Sequence, residues 1–426
     1  MNLIKNFFWD TPSYYDKFPA ILLYLLPVAL VTGPFFADLF LSLIGLYFLI
    51  ISLNKRLYSY YKNPFVYIFV CFYLYLILRS LFSAEIYYSL QGCLFYFRYL
   101  FFSLAVFYLF NNIPNLARNL GLSIFSTLLI VGLDGYYQWV FGYNILGWYA
   151  EEGNYDRLAG FFRDEKILGG YLARLTPVGL GLLLFSLKMT KTKLFIGLIF
   201  LIFIDVITFG SGERSAFFFM TAFSFILIFL SNNFKLARLI TFVVSAIIIF
   251  IVTVYVPTSN KKVMDTVNQV STNNFTPLAP YSPLHEEHYI VGLMIFKDNI
   301  LFGQAPNMFD ILCQEDRYFY SVVACTSHPH NSYIQLLAET GLIGFSFLFF
   351  AFIVISVILF RHFLGILRIH NYNLPDHIIF LLAGLFFMTW PLIPTGSFFN
   401  NWTNVMYYLP VGFVLHYFYN DKVKNI

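Results

Sequence analysis

Charge is what this chain has least of. Its 426 residues carry 26 Lys and Arg and 22 Asp and Glu, so 11% are charged, against roughly 25% in ordinary soluble domains. That scarcity excludes a soluble globule, because 59% hydrophobic residues, with 54 Phe and 32 Tyr, leave more apolar surface than one core can hide. A bilayer can solvate it instead. Cysteine is also scarce: there are four, and no Cys/His/carboxylate spacing matches a recognised metal site. No internal repeat is present. The leading stretch "MNLIKNFFWDTPSYYDK" lacks a basic head, short apolar core and small-residue cleavage site, so the first helix is expected to act as an uncleaved signal. The net charge of +4 says little until its placement is known. The fold class expected is an all-α polytopic membrane protein.

A spanning helix needs about 20 apolar residues. Twelve such spans are expected, nine within residues 1–256 and three within 332–426. With the N-terminus placed in the cytoplasm, 15 Lys and Arg fall on that side, 8 on the other and 3 inside spans, four of the eight in one long loop. This bias puts both termini in the cytoplasm. Three polar segments then share the opposite face: Tyr143 to Lys166, the short link "SGERS" from Ser211 to Ser215, and the loop 257–331. The last is the one long break in hydropathy. It contains "EEHYIVGLMIFKDNILFG", whose first part has a helical apolar pattern, and is expected to fold as a helical cap between spans nine and ten.

Several polar residues in these segments are candidates for chemistry. Glu213 and Arg214 stand at a helix start between apolar spans, a position that favours an anionic ligand such as phosphate. The structural alternative is an interface Arg paired with its neighbouring Glu. Arg157, Arg163 and Lys166 lie at a membrane edge, where solvated or snorkelling side chains are the alternative. Arg174 falls about two turns inside the next span and needs a partner. Arg79, Arg98, Asp134 and Asp205 are further charges within spans, with no assigned pairs. In "SHPHNSYIQLLAETGLIG", His328 and His330 flank a proline, and Asn331 can cap the helix that follows. Gln335 and Glu339 continue one face, with Glu339 in a supporting role. His285 and His288 in the cap could complete a zinc set with His328 and His330. The preferred reading is instead a general base or phosphate-binding imidazole at His330, tuned near neutral pH, and no metal. Cys313 and Cys325 lie on the side expected to be oxidising and are expected to form a disulfide; closing a loop of that size contributes about 3 kcal/mol.

Four features together resemble the bacterial O-antigen ligase and polymerase superfamily, membrane glycosyltransferases acting on polyprenyl-diphosphate-linked glycans. His330 and Asn331, nine further residues, Gly341 and Gly344 are similar to the ligase signature. "SGERSAF" resembles the short link that carries the family's essential Arg, here Arg214. "RLAGFFRDEKILGGYL" resembles the segment that places Arg157 and Arg163 near the site. "KDNILFGQAPNMF" resembles the glycine-containing cap segment, with Gly303 at its first glycine. One departure is plain: the cap position where the family often has Arg holds His285, with His288 and Lys297 as possible substitutes.

The resemblance implies an inverting, metal-independent glycosyltransferase without a cofactor, in the bacterial inner membrane with its active site facing the periplasm. The donor would be a glycan on undecaprenyl diphosphate, and the acceptor lipid A–core or another glycan, with membrane lipids and no nucleic acid as partners. His330 and Arg214 would be catalytic, and Arg157, Arg163, His285 and His288 would bind the diphosphate. His328, Asn331, Glu339 and Glu213 would support them. The absence of an Asp-X-Asp pair agrees, since that pair holds a metal for nucleotide-sugar donors. An O-antigen ligase is the preferred function. An O-antigen polymerase and a protein O-oligosaccharyltransferase share the signature, and a lipid-glycan flippase is the reading outside the enzyme class. The missing repeat and the gathering of polar groups on one face weigh against a transporter.

Overall fold

The computed structural model describes residues 14–150, 157–272 and 283–424. The signal reading of the leading stretch falls mainly on residues 1–13, outside the described residues. Helices dominate, and the one β contact among the described residues is an isolated bridge between Tyr143 and Tyr149. In chain order the helices are α1 (Tyr14–Thr32), α2 (Pro34–Asn54), α3 (Pro64–Leu81), α4 (Ile86–Cys93), α5 (Arg98–Asn112), α6 (Leu116–Phe141), α7 (Leu168–Ser186) and α8 (Lys191–Gly210). They continue with α9 (Arg214–Leu230), α10 (Lys235–Tyr255), α11 (Pro257–Thr272), α12 (Pro283–Asp298), α13 (Phe309–Leu312), α14 (Ser332–Ile366), α15 (Asp376–Met388) and α16 (Asn401–Lys424).

Among the described residues, eight helical stretches are long and apolar enough to cross a membrane, with α4 and α5 counted as one stretch. α9 and α15 are apolar but shorter. Every expected span overlaps a helix, and α12 forms where the cap pattern predicted one. Local chemistry sets several boundaries. Asn63 Oδ1 accepts the Val66 amide at 3.1 Å ahead of Pro64 in the first turn of α3, a pairing suited to an N-terminus. Thr190 does the same for α8 through the Lys193 amide. Two expected spans are not continuous rods. The one near 86–110 is divided into α4 and α5, and α14 is interrupted at Gly341, whose φ of 62° and ψ of −167° are non-helical.

The chain divides into two compact units. The first comprises Met1–Phe40, Leu109–Asp265 and Ile355–Met388. In it, α7 packs against α6 and α15. Asp205 of α8 forms a two-pronged ion pair with Arg238 of α10, both contacts at 2.8 Å. Ser245 and Thr241 add hydrogen bonds at 2.9 and 3.1 Å, and Ser224 adds another. Asp134 receives the Ile145 amide at 2.9 Å, and Gln138 one turn later receives those of Ala159 and Gly160 at 3.0 and 2.8 Å. These two residues fasten the polar segment after α6, which accounts for Asp134.

The second unit comprises Leu41–Tyr108, Thr266–Val354 and Thr389–Ile426. Aromatic rings fill much of it, with Tyr99 stacked on Tyr408 at 5.1 Å and Tyr96 on Phe398 at 5.8 Å. Arg98 donates to Asn401 Oδ1 at 2.7 Å and lies over the Tyr99 ring, so its charge is absorbed locally. Val291, Ile295, Phe309, Leu312 and Tyr318 of the 257–331 segment share a core with Ala338 of α14. Cys313 and Cys325 stand at disulfide distance there, with Cα atoms 5.2 Å apart.

Candidate functional site

Four imidazoles come together in the second unit. The His330 ring centroid lies 4.2 Å from that of His328, 5.3 Å from His288 and 5.5 Å from His285. Three sequence-distant pieces produce this: the first turns of α12, the Pro329 turn and the loop before α16. Asn331 caps α14 as the sequence suggested, accepting the Tyr333 and Ile334 amides at 2.9 and 3.1 Å. Its Nδ2 donates to Pro391 O and Ile393 O, tying the cap to the loop. Thr395 completes the tie: its amide donates to His330 O at 2.8 Å, and its hydroxyl receives the Ser332 amide at 2.9 Å. His330 is thereby held at a φ of 52°, in the left-handed region that few side chains favour. Its ring makes no hydrogen bond among the described residues, whereas His288 Nδ1 donates to Ala324 O at 3.0 Å. Backbone geometry and neighbouring rings therefore position His330, and both of its nitrogens stay available.

Electrostatics corrects one expectation. Burial, and then the His288 charge, push His330 down to about 4 from the ordinary imidazole value. Burial and the three other imidazoles push His328 down to about 3. Both rings are neutral near pH 7, well below the near-neutral tuning expected of His330. No group of three or more His, Cys, Asp or Glu suited to a metal occurs among the described residues.

In the same unit, two main-chain segments cross. The amides of Gln304 and Ala305 donate to Ala338 O and Glu339 O at 3.0 and 2.7 Å, and the amides of Leu342 and Ile343 donate back to Ile300 O and Leu301 O at 2.9 and 3.3 Å. Gly303 and Gly341 sit at the crossing with φ of 65° and 62°. Glu339 is buried, accepts the Phe309 amide at 3.3 Å and receives Gln335 Nε2 at 3.3 Å. It ties the cap to α14 and does not touch the imidazoles through any of these bonds. Arg79 of α3 closes the crossing from outside. Its Nη2 donates to Gly303 O at 2.7 Å, its Nε to Phe302 O at 3.1 Å and its Nη1 to Phe82 O at 2.9 Å. Tyr75, one turn earlier, donates to Thr340 O at 2.6 Å. Sequence reasoning flagged Arg79 only as a charge within a span and passed over Tyr75.

The cationic set belongs to the first unit. The Glu213 carboxylate accepts the Gly169 and Gly170 amides at 2.6 and 3.1 Å, capping the start of α7 from another part of the chain. A Cβ on Gly169 would lie 2.3 Å from Ser211 Oγ and 3.1 Å from Glu213 Oε1, so glycine keeps this approach open. Burial raises Glu213 to about 7, against the opposing pull of those amides and of Arg174 and Arg157. Arg174 donates to Gly170 O at 3.1 Å, within electrostatic reach of Glu213, and lies over the Phe219 ring at 5.2 Å. Arg214 is within electrostatic reach of Arg157 and Asp265. Arg157 is exposed, and the Leu158 amide beside it donates to Ser211 O at 3.0 Å, holding the two polar segments together. Arg163 is exposed and lies over the Trp148 ring at 5.1 Å. The structure therefore gathers Arg157, Arg174, Glu213 and Arg214 in one unit and the four histidines in the other.

Residues 196–349 match the O-antigen ligase family model, which covers the Arg214 link, the 257–331 segment and the His330 signature. No curated protein matches the chain.

Proposed function

We propose that this chain, whose residues 196–349 match the O-antigen ligase family model, transfers a glycan from a polyprenyl diphosphate to a hydroxyl acceptor, as an O-antigen ligase. The observation that carries the reading is His330: a neutral, half-buried imidazole with open ring nitrogens, held by its own backbone on the family's signature segment. In the proposed step, an acceptor hydroxyl oxygen attacks the anomeric carbon. The bond from that carbon to the diphosphate oxygen breaks, and its electron pair leaves with the diphosphate. The hydroxyl proton passes to His330. An arriving diphosphate also favours the protonated ring, which strengthens His330 as a base when substrate is bound.

The departing charge calls for cations. Arg214 and Arg157 supply guanidinium forks matched to phosphate oxygens. Glu213, Gly169 and Gly170 hold the Arg214 link in place. His285 and His288 take the position where related proteins often carry Arg and can donate to the diphosphate when protonated. The reaction is metal-independent and inverting in this reading, and the site faces the periplasm. The reading requires His330 and Arg214 to serve one substrate.

The test is glycan transfer in membranes from cells lacking the native gene. His330→Ala and Arg214→Ala are each expected to abolish transfer while expression and unfolding temperature stay near those of the parent. Arg214→Lys is expected to rescue poorly, because an ammonium lacks the fork. Retained transfer in His330→Ala refutes the base role. Bare lipid A–core with carrier-linked glycan in the deletion strain identifies a ligase, and core bearing a single repeat identifies a polymerase.

A further inference from the structure

The loop between Tyr318 and Ala324 has its polarity reversed. Both ends are buried, Tyr318 at 3% and Ala324 at 1% exposure. Between them, Phe319, Tyr320, Val322 and Val323 are exposed, Val322 at 88%. The single polar residue of the stretch, Ser321, turns inward and donates to Glu287. A water-facing loop would present the serine and tuck the valines away. The loop is also firmly braced. The Cys313–Cys325 pair closes it, and Ala324 O receives His288 Nδ1. Tyr318 Oη donates to Asp298 at 2.5 Å, and Arg317 pairs with the same carboxylate at 3.2 Å. Four apolar side chains are thus held outward with no means of folding under.

What covers them follows from the neighbouring residues. Beyond Asp298 and Asn299 come Ile300, Leu301 and Phe302, all exposed, and Phe302 O is bonded by Arg79 near the end of α3. On α3 itself Leu74, Leu78 and Leu81 are exposed, and Phe82 follows just beyond. α3 is apolar and long enough to span a bilayer, so its exposed face is lipid-facing. Exposed apolar residues thus run from a spanning helix into the 300–302 turn, and the 319–323 loop is tied to the end of α12 just before that turn through Asp298, which stands there with the exposed Arg317. Phe and Tyr at its rim suit the headgroup boundary, where aromatic rings accumulate.

We propose that residues 319–323 dip into the phospholipid headgroup and upper acyl region as an interfacial anchor. Through Ala324 and His288, this anchor sets the depth of the imidazole cluster relative to the bilayer. The proposal rests on the spanning helices and not on any role for His330 in catalysis.

The test places the photoreactive residue p-benzoylphenylalanine at Val322 of the full chain, in vesicles of phosphatidylethanolamine and phosphatidylglycerol. Gln314, exposed on the same loop, is the comparison position. After irradiation, mass spectrometry is expected to find several-fold more phospholipid adduct at 322 than at 314. Phe319 is the second position, so a folding fault of one variant does not decide the result. Equal adduct at 314 and 322, adducts to a second copy of the chain, or no lipid adduct at either 319 or 322 would overturn the proposal.

Discussion

Gly303 and Gly341 meet main chain to main chain: a Cβ built on Gly303 would lie 2.4 Å from the Gly341 nitrogen, and one on Gly341 would lie 2.4 Å from the Leu301 carbonyl. Both also have φ in the left-handed region. Neither glycine is replaceable, because backbone cannot move aside as a flexible side chain can. Gly303→Ala or Gly341→Ala is expected to cost about 3 kcal/mol through strain and overpacking combined. A fall in the unfolding temperature of the detergent-purified protein, together with lower yield, is the measurement. An alanine variant as stable as the parent would show that the crossing does not form.

Arg79 and Tyr75 hold that crossing by its carbonyl oxygens, so their removal should be felt in proportion to the bonds lost. Tyr75→Phe keeps the ring and loses its bond to Thr340 O, an expected cost of about 1 kcal/mol. Arg79→Met loses three charge-assisted contacts and is expected to cost about 2 kcal/mol or more. Arg79→Lys should fall between them, since one ammonium cannot span the same three carbonyls. Thermal unfolding of the three variants side by side gives the order. If Arg79→Met is the mildest, the guanidinium is not the clasp.

The pH dependence follows from the direction of the histidine shifts. His330 and His328 titrate at about 4 and about 3 in the folded chain, below the roughly 6.5 of a free imidazole. The unfolded chain therefore takes up protons first on acidification. The stability contributed by these neutral rings is present above about pH 6.5 and is lost as pH falls toward their folded values. The protein alone is expected to keep His330 unprotonated from neutrality to about pH 5. NMR of ring-labelled histidine checks this. A His330 resonance titrating near 6.5 would contradict it.

Local sequence carried part of this architecture and could not carry the rest. The apolar runs, the Asn331 cap and the helical stretch of α12 depend on neighbours within a few residues, and all were readable. The placement of Cys313 and Cys325 on the side expected to be oxidising likewise anticipated the disulfide distance between them. Adjacency offered Glu213 as an alternative partner for Arg214, whereas the amides its carboxylate accepts lie more than forty positions away. Glu339 and Gln335 shared a helix face as expected, while their partners, Phe309, Ser397 and Phe398, come from other segments. Gly341 carried a weak signal, a glycine inside a long apolar helix. Nothing local showed that the helix breaks there to admit another main chain. His330 was visible as a signature residue, but its depressed pKa arises from burial and then from His288, brought in by α12.

Asp205 and Arg238 form the most enclosed charged pair described, Arg238 at 1% exposure and shared among three helices. A buried pair repays its desolvation only while both partners are present. Arg238→Leu alone leaves a carboxylate stranded among apolar helices and is expected to cost about 3–5 kcal/mol. Asp205→Leu alone strands the guanidinium with comparable loss. The double Leu variant removes both charges and should recover most of either single loss, since apolar packing needs no compensating ion. Unfolding temperatures of the four members of this cycle decide the matter. Additive losses would mean that the two residues act independently. Recovery in the double variant would identify the pair as a lock among α8, α9 and α10 whose charges matter to each other more than to the fold.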